Sequence, residues 1–264
     1  MDWLNEAKKA GEEVLNVLGV GYDEKTYEEA LAHELRLRNI PYERQRNFEM
    51  LYKGYKVGEG RADLILNPLW FGNGGNEIVL ELKAVKKITE AHKRQAQVYM
   101  VSLNIDQGAV LSFAEPILLE VVPKPKKGFD RAVAQPSRSK KFLATILKQA
   151  ARNVYDYFGV EFIYRERGLE IFPNAIAVEL RLNGISFSTG SFPICYKHHK
   201  VDEFPFDFVF DRGVVANVLP YKNEDEIVEN LDELKFYLRQ FNLHRGYLIC
   251  IPSKEGDRVL IKTV

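Results

Sequence analysis

The chain has 264 residues, of which 46% are hydrophobic and 28% are charged. This composition excludes a disordered protein, and the length allows one large domain or two domains of ordinary size. The 37 basic residues are balanced by 37 acidic residues, so the chain lacks the overall positive charge that many nucleic-acid-binding proteins carry.

Cysteine use and hydropathy predict where the protein resides. Cys195 and Cys250 lie far apart without metal-ligand spacing, and we interpret both as reduced thiols in the core. The first residues have no signal-peptide pattern, and no apolar run approaches the roughly 20 residues that span a membrane. We therefore expect a soluble, cytoplasmic protein without a membrane partner.

The first part of the chain shows the periodicity of two helices. Apolar side chains recur at helical spacing over residues 2–19 and again over residues 25–38. Glu34 falls on the mostly apolar face of the second helix. We expect it at the rim of the core or paired with a nearby arginine.

Strands and one more helix follow. A turn at residues 52–54 predicts a hairpin, and Thr89 is the predicted N-cap of a helix over residues 91–103. This order predicts an α/β or α+β core, which we place at residues 1–122. The predicted strands cover residues 42–51, 55–57, 62–66, 78–85, 109–113 and 117–122.

Residues 123–141 interrupt this pattern. They contain three prolines and several lysines and arginines against the single acid Asp130. Such a segment is predicted to be a solvated linker between domains, or a basic arm that also contacts phosphates.

The second half of the chain repeats the first. Three blocks match in order, residues 172–185 with 27–40, 206–210 with 62–66, and 237–249 with 99–111. Ordered matches of this kind indicate a tandem duplication, in which Glu179 takes the position of Glu34. We therefore place a second domain of the same fold at residues 142–264.

The charged residues that predict a chemical function lie on neighbouring strands. Glu81 and Lys83 are two positions apart, so on a strand they share one face. Asp63 lies on the preceding predicted strand, and the loop at residues 67–76 can bring it alongside Glu81. Two convergent carboxylates suit Mg²⁺, which lowers the pKa of a bound water, while a lysine beside them can orient that water or stabilise a phosphate.

Gln95 and Tyr99 are one helical turn apart. They share a helix face and can both reach the site or a nucleic-acid backbone. An aspartate followed by Glu-x-Lys also arises by chance, in which case these charges form surface ion pairs. Their position in runs with strong strand character favours a functional site.

These motifs are typical of a known family. Gly21-Tyr-Asp-Glu24-Lys-Thr-Tyr27 matches the signature of the GxxExxY proteins, a branch of the PD-(D/E)xK nuclease superfamily, and the segments around the site follow in that family's order. The resemblance covers residues 10–115. It implies a restriction-endonuclease-like fold, with a central mixed β-sheet flanked by helices, in each of the two copies.

The same resemblance implies roles for individual residues. Asp63, Glu81 and Lys83 would form the catalytic core, with Glu24 as the earlier acid of RecB-like members. The backbone carbonyl of Leu82 would join both carboxylates in holding Mg²⁺ or Mn²⁺. Gln95 and Tyr99 match the Gln-x-x-x-Tyr of that group. An alternative for Glu24 is an interaction with the dipole of its own helix.

The second copy retains only part of this pattern. Asp207 stands at the position of Asp63, and Tyr237 at the position of Tyr99, whereas Glu233 replaces Gln95. We therefore predict that the second copy is an inactive nuclease domain.

The counterpart of Glu-x-Lys depends on how the second copy is aligned. Counting from Tyr237 places residues 219–221 there, and counting from Asp207 gives Asp225 and Ile227. Neither alignment provides Glu-x-Lys. Lys222 is adjacent and could stand in for the missing lysine.

The sequence is compatible with three functions. The leading hypothesis is a Mg²⁺-dependent nuclease acting on DNA, with RNA as an alternative, whose second domain is an inactive internal partner that completes a pseudo-dimer and grips the substrate. The rival is a catalytically silent nucleic-acid-binding or assembly protein with the same fold, favoured by the neutral net charge. A metal-dependent enzyme with another substrate, or a requirement for a further protein partner, also stays open.

Overall fold

A computed structural model of the chain describes residues 2–69, 76–125, 132–133, 142–163 and 168–264. The chain divides into two compact units, Met1–Arg131 and Ala132–Val264. Most of the predicted linker, residues 126–131 and 134–141, lies outside the described residues. Within the described part of the chain, no helix is both long and apolar enough to cross a membrane.

Unit one begins with two capped helices. The side chain of Asp23 accepts a hydrogen bond from the Thr26 N–H at 2.8 Å and starts the second helix, as Thr89 starts the third. The predicted cap at Thr89 is confirmed. The elements of unit one are α1 Trp3–Leu18, α2 Glu24–Leu37, β1 Tyr42–Tyr52, β2 Tyr55–Leu66, β3 Ile78–Lys83, α3 Glu90–Ser102, β4 Gln107–Ser112 and β5 Leu118–Pro123.

The five strands form one mixed sheet in the order β1-β2-β3-β4-β5. Only β3 and β4 are parallel, and every residue of β3 is buried. Leu80 and Leu82 pack in one core cluster with Tyr27 and Leu31 of α2. Side chains alternate along a strand, so Glu81 points to the opposite face, where α3 supplies its partner Gln95.

Residues 55–57 and 62–66, predicted as separate strands, form the single strand β2. The glycines between them resemble strand breakers in the sequence. In the structure Gly60 pairs with Phe48 across the hairpin, and a Cβ at residue 60 would collide with that ring. Gly60 therefore accommodates an aromatic side chain within a continuous strand.

Unit two has the same order of elements. Its sheet runs β6-β7-β8-β9-β10 with antiparallel pairs except for β8 and β9, so it repeats the topology of the first sheet. Among the described residues, unit two also has 3-10 turns at Val160–Phe162, after its first helix, and at Asp211–Gly213, between its second and third strands. The elements are α4 Leu143–Phe158, α5 Gly168–Leu182, β6 Ser188–Tyr196, β7 His199–Phe210, β8 Val214–Tyr221, α6 Glu224–Gln240, β9 Arg245–Pro252 and β10 Leu260–Thr263.

The expectations about three single residues have different outcomes. Glu34 is ion-paired with Arg38, with 2.6 Å between Oε1 and Nε, as expected for the paired alternative. Cys250 is buried, and this burial raises the pKa of its thiol to about 12. Cys195, however, is exposed on β6, so its prediction as a core thiol is wrong. The reason is that most of β6 lies in solvent.

Candidate active site

Asp63 lies at a fork between two strands. Pairing between β2 and β3 runs from Leu66–Ile78 to Leu64–Leu80. Beyond the Leu64–Leu80 pair the two backbones no longer pair. Instead, the Asp63 side chain bridges the strands, and its Oδ2 accepts a hydrogen bond from the Leu82 N–H at 3.0 Å. The same antiparallel register places Asp63 opposite Glu81.

The Leu82 carbonyl faces this fork. The N–H and C=O groups of one strand residue point to the same side of the strand. Since the Leu82 N–H is bonded to Asp63, its C=O is directed towards β2 as well. The next carbonyl, that of Lys83, points the other way and accepts from the Phe113 N–H at 2.8 Å.

Glu81 and Lys83 form a buried ion pair. Lys83 Nζ lies 2.8 Å from Glu81 Oε1, and the two residues are 3% and 0% exposed. Gln95 Nε2 donates to the same oxygen and lies 3.3 Å from the Tyr99 hydroxyl. Burying two charges is costly unless further hydrogen bonds satisfy them, and Gln95 supplies one.

Glu24 brings a second carboxylate to Lys83. It is the first residue of α2, and its half-exposed Oε2 lies 3.7 Å from Lys83 Nζ. An acid in the first turn of a helix is also favoured by the helix dipole. The two interpretations of Glu24 are therefore compatible.

The other residues of the Gly-x-x-Glu-x-x-Tyr signature position this helix end. Gly21 has a φ of 111°, which a residue with a Cβ rarely adopts. The hydroxyl of Tyr27 donates to the Gly19 carbonyl at 2.7 Å, and its ring stacks on Phe113 with 4.4 Å between centroids. Because Phe113 is bonded to the Lys83 carbonyl, Tyr27 links the connection before Glu24 to the strand that carries Lys83.

A cleft of about 460 Å³ opens beside the fork. Its lining combines Asp63 and Leu82 of the fork with residues of α2, β1 and β2. Sequence reasoning missed the basic residues of this cleft, although Arg61 stands two positions before Asp63. Its lining residues are Glu24, Lys25, Glu28, Glu29, Arg44, Gln45, Arg61, Asp63 and Leu82.

One wall of the cleft is held by a charged network. Arg44 contacts Glu28 at 3.0 Å and Glu29 at 2.6 Å, and Gln45 donates to Glu28 at 2.6 Å. The bond to Glu29, with help from Glu28, raises the pKa of Arg44, and the same bond lowers the pKa of Glu29. Gln45 has a φ of 54°, so the network holds a strained residue beside Asp63.

The oxygen groups at the fork are of the type that hard divalent cations bind. No group of three or more His, Cys, Asp or Glu residues that could hold a metal is found in the described part of the chain. Mg²⁺, however, is commonly bound by one or two carboxylates and completes its coordination with water and substrate phosphate. Asp63, Glu81 and the Leu82 carbonyl supply oxygen atoms at this fork, and their role as metal ligands stays a prediction.

The second unit repeats the Asp63 contact. Asp207 Oδ2 accepts from the Val218 N–H at 2.7 Å. The strand register agrees, because Phe208 pairs with Ala216 as Leu64 pairs with Leu80. The counterpart of Glu81-Leu82-Lys83 is therefore the segment at residues 217–219.

Both alignments made from the sequence are corrected by this register. Residues 219–221 lie two positions too late. The helix α6 has 17 residues against 13 in α3, and the connection from residue 219 to α6 is two residues shorter than that from Lys83 to α3, so counting back from Tyr237 carries a net difference of two. Asp225 and Ile227 lie on α6 itself. Lys222 lies beyond the end of β8, and its N–H donates to Glu226 at 2.8 Å.

The counterparts in unit two lack the charges of the first site. Asn217 takes the place of Glu81, and its side chain bonds to the backbone of Asp207 and Pro205. Leu219 takes the place of Lys83. Glu233, aligned with the buried Gln95, is exposed on α6. Burial raises the pKa of Asp207, although its bond from Val218 opposes the shift.

Each unit thus combines a mixed five-stranded sheet, helices on its faces and an aspartate at a strand fork. This architecture defines the restriction-endonuclease-like class of α/β proteins. The family model of the PD-(D/E)XK nuclease superfamily matches residues 1–122 and 141–260. The chain belongs to the PD-(D/E)XK nuclease superfamily, and its two units are two domains of this fold.

Comparison with individual proteins adds little to the family assignment. The crystal structure of SSO0001 is similar at 23% sequence identity, over 39% of this chain and 52% of that chain, with a TM-score of 0.32. The chain therefore spans about half the length of that relative. No curated protein matches the chain.

Proposed function

We propose that the protein is a metal-dependent nuclease that hydrolyses phosphodiester bonds in DNA, with RNA as the alternative substrate. The observation that supports this proposal is the convergence at one fork of Asp63, bonded to the Leu82 N–H at 3.0 Å, and Glu81, bonded to Lys83 at 2.8 Å. Membership of the nuclease superfamily agrees with a nucleic-acid substrate.

Asp63, Glu81 and the Leu82 carbonyl would hold Mg²⁺, and Mn²⁺ takes similar ligands. Bound there, the ion would act as a Lewis acid and lower the pKa of a coordinated water. Lys83 balances the charge of Glu81 in the free site. During cleavage its ammonium would donate hydrogen bonds to the attacking water or to the phosphate as negative charge develops.

Gln95 and Tyr99 would organise the site. Both are fully buried, and Gln95 bonds to the Glu81 oxygen that also accepts from Lys83. Side chains sealed in this way orient the carboxylate and do not contact a nucleic-acid backbone. Glu24, which is half-exposed, would approach the site from the solvent side and share Lys83 with Glu81.

The second domain would be an inactive copy produced by tandem duplication. It repeats the topology and the aspartate contact of the first domain, yet Asn217 and Leu219 provide neither the second carboxylate nor the ammonium. We assign the first copy, of the GxxExxY branch, to residues 1–122, the linker to 123–141 and the inactive copy to 142–264. The inactive second domain would serve as an internal partner that grips substrate, and the protein would make one cut per encounter.

A cleavage panel with matched variants tests this function. Labelled single-stranded, duplex, flapped and RNA substrates are incubated with Mg²⁺, Mn²⁺ or EDTA. Asp63→Asn preserves an acceptor for the Leu82 N–H and removes a charged metal ligand, whereas Asp207→Asn makes the same change in the second copy. We expect metal-dependent cleavage by the wild type and by Asp207→Asn only. Equal cleavage by Asp63→Asn contradicts the assigned site.

A catalytically silent nucleic-acid-binding protein is the second candidate. It is favoured by the burial of the ion pair, because Glu81 and Lys83 are almost fully inaccessible to solvent. Calorimetric titration with Mg²⁺ separates the two candidates. The enzyme is expected to show heat of binding that disappears in Glu81→Gln, whereas the silent protein binds oligonucleotide without binding the ion or cleaving the strand.

A further inference from the structure

We propose that Arg61 forms a phosphate-binding subsite in the cleft and holds the phosphodiester next to the one at Asp63. This inference rests on the nucleic-acid substrate of the proposed function and adds a residue that contacts this substrate outside the metal-binding fork.

The position of Arg61 follows from the strand. Side chains two positions apart point to the same face of a β-strand, about 6.6 to 6.8 Å apart. Arg61 and Asp63 are such a pair on β2, and both line the same cleft. A guanidinium on that long side chain reaches the space next to a phosphate bound at Asp63.

Arg61 is available for a ligand, unlike its neighbours on the hairpin. Arg44 is held by Glu28 and Glu29, and Arg46 is held by two other glutamates at 2.5 and 2.7 Å. Arg61 is exposed and makes no hydrogen bond or ion pair with any residue in the described part of the chain. Guanidinium groups bind phosphate in a bidentate manner.

The acidic lining of the cleft requires a basic residue if a phosphate is to bind there. Four of its lining residues are acids, and Arg44 is already neutralised by two of them. Without a cation in the fork, a polyanion approaching Asp63 would be repelled. Arg61 and the exposed Lys25 are the basic groups of the cleft that remain to attract phosphates.

The second copy provides an internal comparison. Pro205, two positions before Asp207, takes the place of Arg61. The arginine at this position is thus missing in the copy that also lacks the counterparts of Glu81 and Lys83. An arginine needed only for folding of the hairpin would be expected in both copies, whereas one that binds substrate is expected only beside an intact site.

The test measures binding of a labelled oligonucleotide by fluorescence anisotropy over a range of salt concentrations, with Ca²⁺ as the added ion. The wild type is compared with Arg61→Ala, Arg61→Lys and Arg36→Ala, the last an exposed arginine on α2 outside the cleft. Loss of one phosphate contact lowers the slope of log Kobs against log salt by about 0.7 to 0.9. We expect this change in slope for Arg61→Ala only; Arg61→Lys keeps the charge and hence the slope but binds more weakly than the wild type, and Arg36→Ala behaves like the wild type.

Two controls separate this proposal from the nuclease assignment. Thermal unfolding is expected to be unchanged in Arg61→Ala, because the side chain has no partner in the described part of the chain. If the wild type binds the oligonucleotide but does not cleave it with Mg²⁺ or Mn²⁺, the nuclease function is contradicted. The phosphate subsite is then still tested by the salt dependence of binding in Arg61→Ala. Identical slopes for Arg61→Ala and Arg36→Ala overturn the subsite, as does a wild type that binds no oligonucleotide.

Discussion

Asp63 accepts a hydrogen bond from the backbone N–H of Leu82, and this one contact organises the candidate site. It spans the fork where β2 and β3 cease to pair, and it directs the Leu82 carbonyl towards the same opening. The equivalent bond from the Val218 N–H to Asp207 occurs in the second copy, where no second carboxylate is present, so the contact does not depend on that carboxylate.

Replacement of Lys83 by Gln is expected to leave Glu81 as a buried charge without its ammonium partner. Breaking a buried pair in this way costs about 3 to 5 kcal/mol, and we expect the cleavage rate to fall about 100- to 1000-fold. Urea unfolding and initial cleavage rates measure the two effects. The double variant Glu81→Gln/Lys83→Gln is the control, and it should recover most of the lost stability but none of the activity.

Gln95→Leu is expected to weaken the metal site through Glu81. A residue that orients a ligand typically contributes about 10- to 100-fold in metal affinity or activity when removed. Mg²⁺ titration by calorimetry measures the change. Glu233→Leu, at the aligned and exposed position of α6, serves as the matched control and should alter stability by no more than about 0.5 kcal/mol. An unchanged Mg²⁺ affinity in Gln95→Leu argues against the organising role.

The variant Tyr27→Phe introduces the residue type found in the second copy, where Phe172 occupies the equivalent position. The variant retains the stacking on Phe113 but removes the hydrogen bond to the Gly19 carbonyl, so we expect a loss of about 1 kcal/mol in unfolding free energy. Because the connection before Glu24 is released, cleavage should fall more than stability alone explains. Cleavage measured well below the melting temperature tests this, and wild-type activity there contradicts the positioning role.

Asp207 makes the stability of the second domain dependent on pH. Burial raises its pKa in the folded state above the ordinary value of 3.8. In the interval from about 3.8 up to the folded value, the folded state binds more protons than the unfolded state. Stability therefore falls as pH rises through that interval, and the cost is fully present above it.

Asp207→Asn removes this cost and retains an acceptor for the Val218 N–H. We expect the variant to melt at a higher temperature than the wild type at pH 7, and the difference to vanish below about pH 4, where both side chains are neutral. Melting curves at several pH values provide the measurement. A variant that is less stable at pH 7 would show that the charged form is the one favoured by the fold.

Much of the candidate site could be predicted because its signals are local. Glu81 and Lys83 share a strand face through their spacing alone, and Thr89 caps its helix through the residues directly after it. The continuous strand β2 could not be predicted in the same way. Its glycines resemble strand breaks in the sequence, and only the structure shows that Gly60 lies against the ring of Phe48 on the neighbouring strand.

The sequence by itself determined the two-domain arrangement of elements, the candidate residues of the first site and the absence of a Glu-x-Lys motif from the second copy. These properties depend on periodicity, spacing and order, which are local properties of the sequence. Only the tertiary structure decided that Asn217 replaces Glu81 and that Cys195 is exposed. It also decided that Arg44 and Arg46 are paired, whereas Arg61 has no ion-pair partner among the described residues. Strand register, burial and ion pairing depend on which distant residues meet, so no local pattern determines them.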